Sequence, residues 1–285
     1  MGEYGPPKRV TKWAGVILFA VLISCGVIGT PIYIYYRGLA LSEILLFTFY
    51  FFATSFSITV GYHRLFSHVT YKTNNLVRFL LLFFGAATYE ESALKWSSQH
   101  RQHHQFTDTN LDPHNSTRGF WYCHIGWILF WKHSVNHDNV KDLLQSKLVM
   151  NQHKYIDLWS VTAGIILPLA IGYATGHLLG AFLMSVCLRM FLVMNSAFLI
   201  NSYAHMVGSH EFDKTASARD HWLGGVLTNG EGYHSFHHKF PNDYRNGIRW
   251  YHWDPSKWCI YFWSRLGLAW DLKRTPNSLI AAATA

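Results

Sequence analysis

The chain has 285 residues, half of them hydrophobic and only 14% charged, whereas soluble domains are about 25% charged. This composition excludes an ordinary soluble enzyme, a disordered chain and a collagen-like fold. Aromatic residues make up 17% of the chain, which suits rings at a membrane interface. The net charge of +8 accompanies no nucleic-acid-binding motif, so no nucleic-acid partner is predicted.

Four apolar stretches are long enough to cross a lipid bilayer as helices. A spanning helix needs about 20 mostly apolar residues, and the stretches that qualify are residues 13–36, 41–62, 158–176 and 177–204. The first stretch follows three basic residues but carries no small-residue cleavage site. This pattern predicts a retained helix and not a signal peptide.

One charged residue lies inside the fourth stretch. Arg189 is costly in lipid, and an intramembrane charge usually has a partner within the protein. Counting the rise per residue along the second and fourth stretches puts Glu43 and Arg189 at similar depths. We therefore predict a contact between these two side chains.

The basic residues predict the orientation of the chain in its membrane. Apart from Arg37 and Arg189, every Lys and Arg lies before the first stretch, between the second and third, or after the fourth. Segments rich in Lys and Arg near span ends stay in the cytoplasm. We predict one domain over residues 1–285, with cytoplasmic termini and a cytosolic helical cap of residues 63–157 and 205–285, in a bacterial inner membrane or the endoplasmic reticulum.

Two shorter apolar segments lie within the first part of this cap. Residues 76–89 include Arg78, and residues 120–131 are shorter and rich in aromatic rings. Both are too short to span a bilayer, so we predict helices that lie at the membrane surface. For residues 120–131, a core helix of the cap is the alternative.

Histidines show a metal-binding pattern that the four scattered cysteines lack. The motifs HRLFSH, HRQHH and HSFHH contain eight histidines, and His205 ends the fourth stretch. In each HxxHH motif the three histidines lie on one face of a helix. His63 and His68 do not share an α-helical face, so the second span is expected to end or unwind between them. The full set is His63, His68, His100, His103, His104, His205, His234, His237 and His238.

Neutral imidazoles favour divalent iron, zinc or copper. Nine ligands are too many for one ion, and two ions with four or five ligands each would leave a position for water or oxygen. Acidic residues beside the motifs are expected to accept the second ring N–H of ligating histidines, and these are Asp108, Asp112 and Glu231. The other nine histidines lack this spacing and are predicted to be surface or hydrogen-bonded core groups.

The motifs HRLFSH, HRQHH, NSYAH and GEGYHSFHH, together with DPHNSTRGF from Asp112, resemble the histidine boxes of the membrane fatty acid desaturases. The likeness is to the acyl-CoA delta-9, or stearoyl-CoA, class in particular. It implies an all-α membrane protein with four transmembrane helices, interfacial helices and a cytosolic helical cap. It also implies two iron ions (Fe2+) held by the nine histidines, and a water held on one iron by Asn201.

The reaction implied by this resemblance is oxygen-dependent desaturation of a saturated acyl chain, as acyl-CoA of stearoyl or palmitoyl length, between carbons 9 and 10. The reaction belongs to fatty acid biosynthesis and takes electrons from an external cytochrome b5 or ferredoxin. Trp96 is expected at the bend of an apolar tunnel, and Phe51 and Ser55 near its floor, where they limit chain length. The resemblance also places Glu90 and Ala197 in this tunnel, Glu90 where many members of the family have a glutamine near the bend and Ala197 where some have a threonine.

Three other functions compete with desaturation. A diiron hydroxylase or ketolase acting on a lipid would use the same histidines, and only its product separates it from a desaturase. A membrane haem electron carrier needs facing histidine pairs within the spans. A metal transporter needs ligands near the midplane. The nine histidines instead cluster at one predicted membrane boundary, which favours desaturation or another diiron oxidation over the haem carrier and the transporter.

Overall fold

A computed structural model of the chain describes residues 8–133 and 136–284. Four of its helices are long and apolar enough to cross a membrane, and we call them spans 1 to 4: Trp13–Arg37, Leu41–Ser67, Ile156–Ala174 and Leu178–His205. Each begins and ends within a few residues of a predicted stretch, because the length of an apolar run sets the length of the helix that buries it in lipid. The predicted all-α membrane fold is confirmed.

The remaining helices are short and lie between spans 2 and 3 or after span 4. They are Asn75–Ala86, Ala93–Phe106, Ser116–Arg118, Tyr122–Gly126, Trp127–Leu129, His137–Val140, Lys141–Leu144, Lys147–Lys154, Trp222–Leu227, His234–Lys239, Pro255–Arg265 and Asn277–Thr284. Among the described residues, β-structure is limited to short pairs and bridges. Strand Lys8–Arg9 pairs with Trp131–Lys132, and Lys72–Thr73 pairs with Ala269–Trp270.

A continuous core joins span 2 to both segments of short helices. Ile58, Val60 and Leu65 of span 2 pack in one buried cluster with residues from both segments, including Val149 and Ile260. A second cluster joins span 1, span 4 and the helix Trp127–Leu129. Both segments of the cap are therefore fixed against the spans by apolar contacts.

The two apolar segments predicted at the membrane surface form helices too short to span. Asn75–Ala86 has 12 residues, and its N-cap is Asn74, whose side chain accepts a hydrogen bond from the backbone N–H of Val77 at 2.9 Å. In the second segment Trp121 is exposed, whereas Cys123 and Leu129 are buried. The second segment thus presents Trp121 outward and packs Cys123 and Leu129 inward.

The predicted contact between Arg189 and Glu43 is wrong. The Arg189 guanidinium is buried and donates to three backbone carbonyls, those of Ser185, Ala87 and Gly164. An arginine has five N–H donors, and these can hydrogen-bond to backbone carbonyls that helix ends and kinks leave without a partner. Glu43 instead caps span 2 by accepting from the backbone N–H of Ala40, and it accepts from the hydroxyl of Tyr33 at 2.6 Å.

Candidate metal centre and cavity

His63 and His68 lie together because span 2 widens into a π-helix at its end. Residues Ser57–Ser67 are π-helical, and the N–H of His68 bonds the carbonyl of His63, five residues earlier, at 3.1 Å. The two imidazole centroids are 4.9 Å apart. The expectation that the span ends or unwinds between them is confirmed: the helix ends at Ser67, just before His68, and its wider π-helical turns bring residues five apart to the same side.

The HRQHH histidines lie on the helix Ala93–Phe106. Its N-terminus is capped by Ser92, whose hydroxyl accepts from the N–H of Lys95. Arg101, within the motif, donates to the carbonyls of Phe66 and Ser67 at 2.8 Å each. This arginine fixes the helix against the end of span 2, and sequence reasoning missed it.

The HSFHH histidines lie on the short helix His234–Lys239. The Asp220 carboxylate holds its first turn by accepting from the backbone N–H groups of Ser235 and Phe236, at 2.7 and 3.2 Å. His205 closes span 4 in a single 3-10 turn. The C-terminal ends of spans 2 and 4 thus lie at the same end of the bundle.

The nine histidines gather into two groups in which the ligand atoms lie within 4.8 Å of one another. The groups are His63, His68, His100, His104 and His237, and then His103, His205, His234 and His238. In the first group, Nε2 to Nε2 distances between neighbours are 2.7 to 3.1 Å. In the second group they are 3.0 to 3.2 Å.

These nitrogen spacings fit shared metal ions better than hydrogen bonds between rings. Nε2 of His100 is close to Nε2 of both His68 and His104, yet one ring nitrogen can donate or accept only once. Ligands at right angles around an ion, with bonds of about 2.1 Å, lie about 3 Å apart. Each group therefore has the donor atoms and the spacing that one divalent ion requires.

In seven of the nine histidines, burial favours the uncharged ring, which does not oppose a cation. Burial, with smaller contributions from neighbouring imidazoles, lowers the pKa of His68, His100, His104 and His237 well below the usual value. Burial acts in the same way on His103, His234 and His238. Neutral imidazole is the form that binds a metal ion.

Two of the three predicted carboxylates contact ligand rings directly. Asp112 Oδ1 lies 2.9 Å from Nδ1 of His103, and Glu231 Oε2 lies 2.7 Å from Nδ1 of His63. Asp108 differs from expectation: it accepts from the hydroxyl of Ser217, which lies 2.7 Å from Nδ1 of His205. The serine comes between because it lies on the loop after span 4, a placement that local sequence cannot predict.

A buried ion network surrounds Glu231. Arg64, next to His63, donates to Glu231 Oε1 at 2.9 Å and to Asp254 Oδ1 at 3.0 Å. Asn246 donates to the second Glu231 oxygen. Burial by itself would raise the pKa of Glu231, but the Arg64 charge holds it below the usual value. Arg64 was missed, although a charge at the end of an apolar span was its signal.

A cavity of about 660 Å³ opens beside the histidine groups. Its lining includes three of the five predicted tunnel residues, Glu90, Trp96 and Ala197, together with Asn201. Ser55 lines a smaller space of about 10 Å³, which shares Ile58, Thr59, Ala197 and Ile200 with the large cavity. Phe51 is outside the lining of both described spaces, one helical turn before Ser55.

Trp96 connects the cavity wall to the metal centre. Its indole stacks on the His100 ring, with centroids 4.9 Å apart, and its Nε1 donates to Glu90 at 3.3 Å. His114 was grouped with histidines outside the site, but it is buried, lines the cavity and packs against His103, with ring centroids 4.2 Å apart. The sequence signal that could have placed His114 in the site was its position directly after Asp112 and Pro113.

Four long apolar helices with buried polyhistidine groups at one end define a class of helical membrane proteins with a metal-binding centre. The sequence matches a family model for fatty acid desaturases over residues 40–256. The chain belongs to the fatty acid desaturase family.

The chain is similar to named desaturases. It is 41% identical over 249 residues to acyl-CoA desaturase 1 of Saccharomyces cerevisiae, covering 86% of this chain and 49% of that protein. It is 41% identical to a probable acyl-CoA desaturase of Schizosaccharomyces pombe, covering 84% and 51%. Stearoyl-CoA desaturase 2 of Mus musculus is 33% identical, over 98% and 79%. The chain thus spans about half the length of the two yeast relatives.

Proposed function

We propose that the chain desaturates a saturated acyl chain, as its acyl-CoA thioester, with molecular oxygen. Two neighbouring CH2 groups each lose one hydrogen and become a cis CH=CH unit. Oxygen, two electrons and two protons from outside the chain complete the balance, which yields two molecules of water. One observation carries this proposal: two groups of imidazole nitrogens border a cavity of about 660 Å³ whose partly apolar lining suits an acyl chain.

Two iron ions are the proposed metals, one for each histidine group. Bound iron would supply the oxidising power that an unactivated C–H bond needs, which no side chain offers. The protein residues fix the ligands: Asp112 and Glu231 orient His103 and His63 through Nδ1, which leaves each Nε2 free for the metal. Asn201 lines the cavity near His103 and His234, and its proposed role is to hold a water.

The cavity residues position the substrate. The Trp96 indole, packed on His100, and the side chains of Ala197 and Ile200 form apolar walls that exclude water from the reacting carbons. Lys12, Lys95 and Lys132 also line this cavity, and their charges suit a phosphorylated carrier such as CoA. The relatives' names, acyl-CoA and stearoyl-CoA desaturase, support that carrier and the delta-9 position.

The electron donor, orientation and host membrane are further parts of the proposal. We assign cytochrome b5 or a ferredoxin as donor, since none of the described side chains has redox chemistry suited to the task. The distribution of Lys and Arg supports cytoplasmic termini and a cytoplasmic metal centre, in a bacterial inner membrane or the endoplasmic reticulum.

Product analysis tests this function. The purified chain is loaded with iron and given stearoyl-CoA, oxygen and a reduced donor, and the fatty acids are released and separated by gas chromatography. A cis-9 monounsaturated product is expected. A hydroxylated or keto product would instead favour the hydroxylase or ketolase, and oxidation of the donor without acyl product would contradict both.

A further inference from the structure

The short helix Trp222–Leu227 lies alongside span 4 and not beyond its end. The Ser196 hydroxyl donates a hydrogen bond to the carbonyl of Leu227 at 2.7 Å. Ser196 is the nineteenth residue of span 4, counted from Leu178 at the end of the bundle opposite the histidines. The α-helical rise puts Ser196 about 27 Å along the span. Because the hydrocarbon core of a bilayer is about 30 Å thick, this helix lies where the hydrocarbon meets the headgroups.

The helix Pro255–Arg265 lies at the same level beside span 2. The hydroxyls of Thr59 and Ser256 are 2.7 Å apart, and Thr59 is the nineteenth residue of span 2, counted from Leu41. Ser256 also donates to the carbonyl of Asn229 at 2.9 Å, which joins this helix to the chain that follows the first helix. Both helices therefore reach back from the histidine end of the bundle to the edge of the bilayer.

The two helices turn large uncharged side chains outward. On the second helix, Trp258, Tyr261 and Phe262 are exposed and recur at the spacing of one helix face. Ile260, on the other face, is fully buried. On the first helix the two glycines are buried and the larger residues are exposed. We call the exposed side chains of both helices the apolar collar, and they are Trp222, Leu223, Val226, Leu227, Trp258, Tyr261 and Phe262.

We infer that the apolar collar is embedded in the lipid leaflet at the histidine end of the bundle, among the headgroups and the upper parts of the acyl chains. Trp and Tyr are enriched at this depth because their rings are amphipathic. Spans 2 and 4 meet lipid along their outward faces, and the hydrogen bonds from Ser196 and Thr59 make the collar continuous with that surface. Arg265, exposed at the end of the second helix, is placed to meet lipid phosphates.

Lipid fits this surface better than a protein partner does. An electron carrier approaches from water, and it would have to displace lipid to reach side chains at this depth. A second copy of the chain would have to do the same. The collar carries no charge that could attract a charged carrier, whereas an uncharged aromatic surface is typical of contact with a bilayer.

The collar adds a third contact with the leaflet to the two predicted at residues 76–89 and 120–131. The sequence placed both collar helices in the cytosolic cap. Glu231 lies between them in the chain, and its carboxylate contacts the ring of His63. Lipid contact on both sides therefore fixes the loop that orients this ring, although the contact itself depends neither on a metal nor on the reaction.

Labelling of the unmodified chain tests the contact, in phosphatidylcholine nanodiscs that hold one copy each. A lipid with a diazirine on its acyl chain, close to the glycerol, reports on the leaflet, and hydroxyl radicals report on the water. Mass spectrometry maps both products, and lipid adducts are expected on both collar helices. The matched pair for oxidation is Trp258, 43% exposed, and Trp270, 44% exposed beside the surface ion pair of Lys72 and Asp271. Trp270 should be oxidised and Trp258 protected.

Equal oxidation of Trp258 and Trp270 would overturn the inference, as would the absence of lipid adducts from both collar helices. A collar that serves a second copy or an electron carrier would give that result, because each nanodisc holds one copy and no other protein.

Two valines of similar exposure supply a second measurement. Val226 belongs to the collar and is 44% exposed, and Val69 lies beyond the end of span 2 and is 38% exposed. Val226→Asp should lower the melting temperature in nanodiscs by several degrees, since a carboxylate is costly in lipid. Val226→Leu and Val69→Asp should not lower it. Unchanged melting of Val226→Asp would contradict the placement of the collar in the leaflet.

Discussion

Glu231 places one carboxylate oxygen 2.7 Å from Nδ1 of His63 and the other 2.9 Å from the Arg64 guanidinium. All three side chains are buried. The ligand ring and the ion network therefore share one carboxylate, and any change in the network reaches the metal centre. Because His63 and Arg64 are adjacent on span 2, the arrangement also fixes the end of that helix against the loop that precedes the HSFHH motif.

We predict that Glu231→Gln weakens iron binding by about 10-fold to 100-fold, the usual effect of removing a group that orients a ligand. The amide keeps the shape of the side chain, but it removes the charge that orients the His63 ring and balances Arg64. Iron affinity is measured by competition with a chelator of known affinity.

The matched control for this change is Glu211→Gln. Glu211 also contacts an arginine, Arg249, but at the surface. The Glu211→Gln protein should bind iron with the affinity of the wild type. Equal affinities in the two variants would contradict the role assigned to Glu231.

Substitution of a histidine in the metal centre and of one at the opposite end of the bundle should affect iron content and product differently. His104→Ala should lower bound iron below two ions per chain and reduce desaturation at least about 100-fold, because the first group loses a ligand whose Nε2 has two close neighbours. His177 lies between spans 3 and 4, at the opposite end, and bonds the carbonyl of Thr175. His177→Ala should retain both metal content and product, as measured by elemental analysis and gas chromatography. Undiminished product from His104→Ala would contradict the assignment of His104 as a metal ligand.

Hydropathy and motif spacing predicted much of this molecule because both act locally. A span must be apolar along its whole length, so the ends of spans 1 to 4 follow from composition alone. Helical spacing likewise brings His100, His103 and His104 to one side of a helix, whatever the rest of the chain does. The prediction that these rings lie near His205 and His237 then required only that an even number of spans separate the motifs, because an even number returns the chain to the same side of the membrane.

Features that depend on distant contacts were beyond sequence reasoning. The π-helical turns that unite His63 and His68 are held by packing around span 2. The serine that links Asp108 to His205 comes from a loop more than 100 residues away from Asp108. Arg189 paired with carbonyls and not with Glu43, because depth along a helix does not tell which side of the helix a residue occupies.

Ser55 is predicted to set the length of the acyl chain. It lines the small space beyond the large cavity, next to Ala197 and Ile200. Ser55→Leu fills that space, so activity should shift toward shorter chains, with the ratio of stearoyl-CoA to palmitoyl-CoA turnover falling about 10-fold. The control is Phe52→Leu, an exposed residue on the same span, which should leave the ratio unchanged. If Ser55→Leu accepts both chains as the wild type does, the acyl chain does not end there.

Glu90 gives the folded chain a distinctive dependence on pH. Burial raises its pKa in the folded protein to about 8, whereas an unfolded glutamate ionises near pH 4.3. Between these values the folded chain keeps a proton that the unfolded chain loses, so the contribution of this group to the free energy of unfolding falls as pH rises from about 4.3 to about 8 and is lost above that.

Glu90→Gln removes the titration. Its melting temperature, compared with that of the wild type in the same detergent, should therefore rise by about 2 °C or more between pH 5 and pH 9. The control Asp271→Asn, at an exposed ion pair with Lys72, should follow the wild type across this range. A constant difference between Glu90→Gln and the wild type at all pH values would mean that the pKa of Glu90 is not raised in the folded protein.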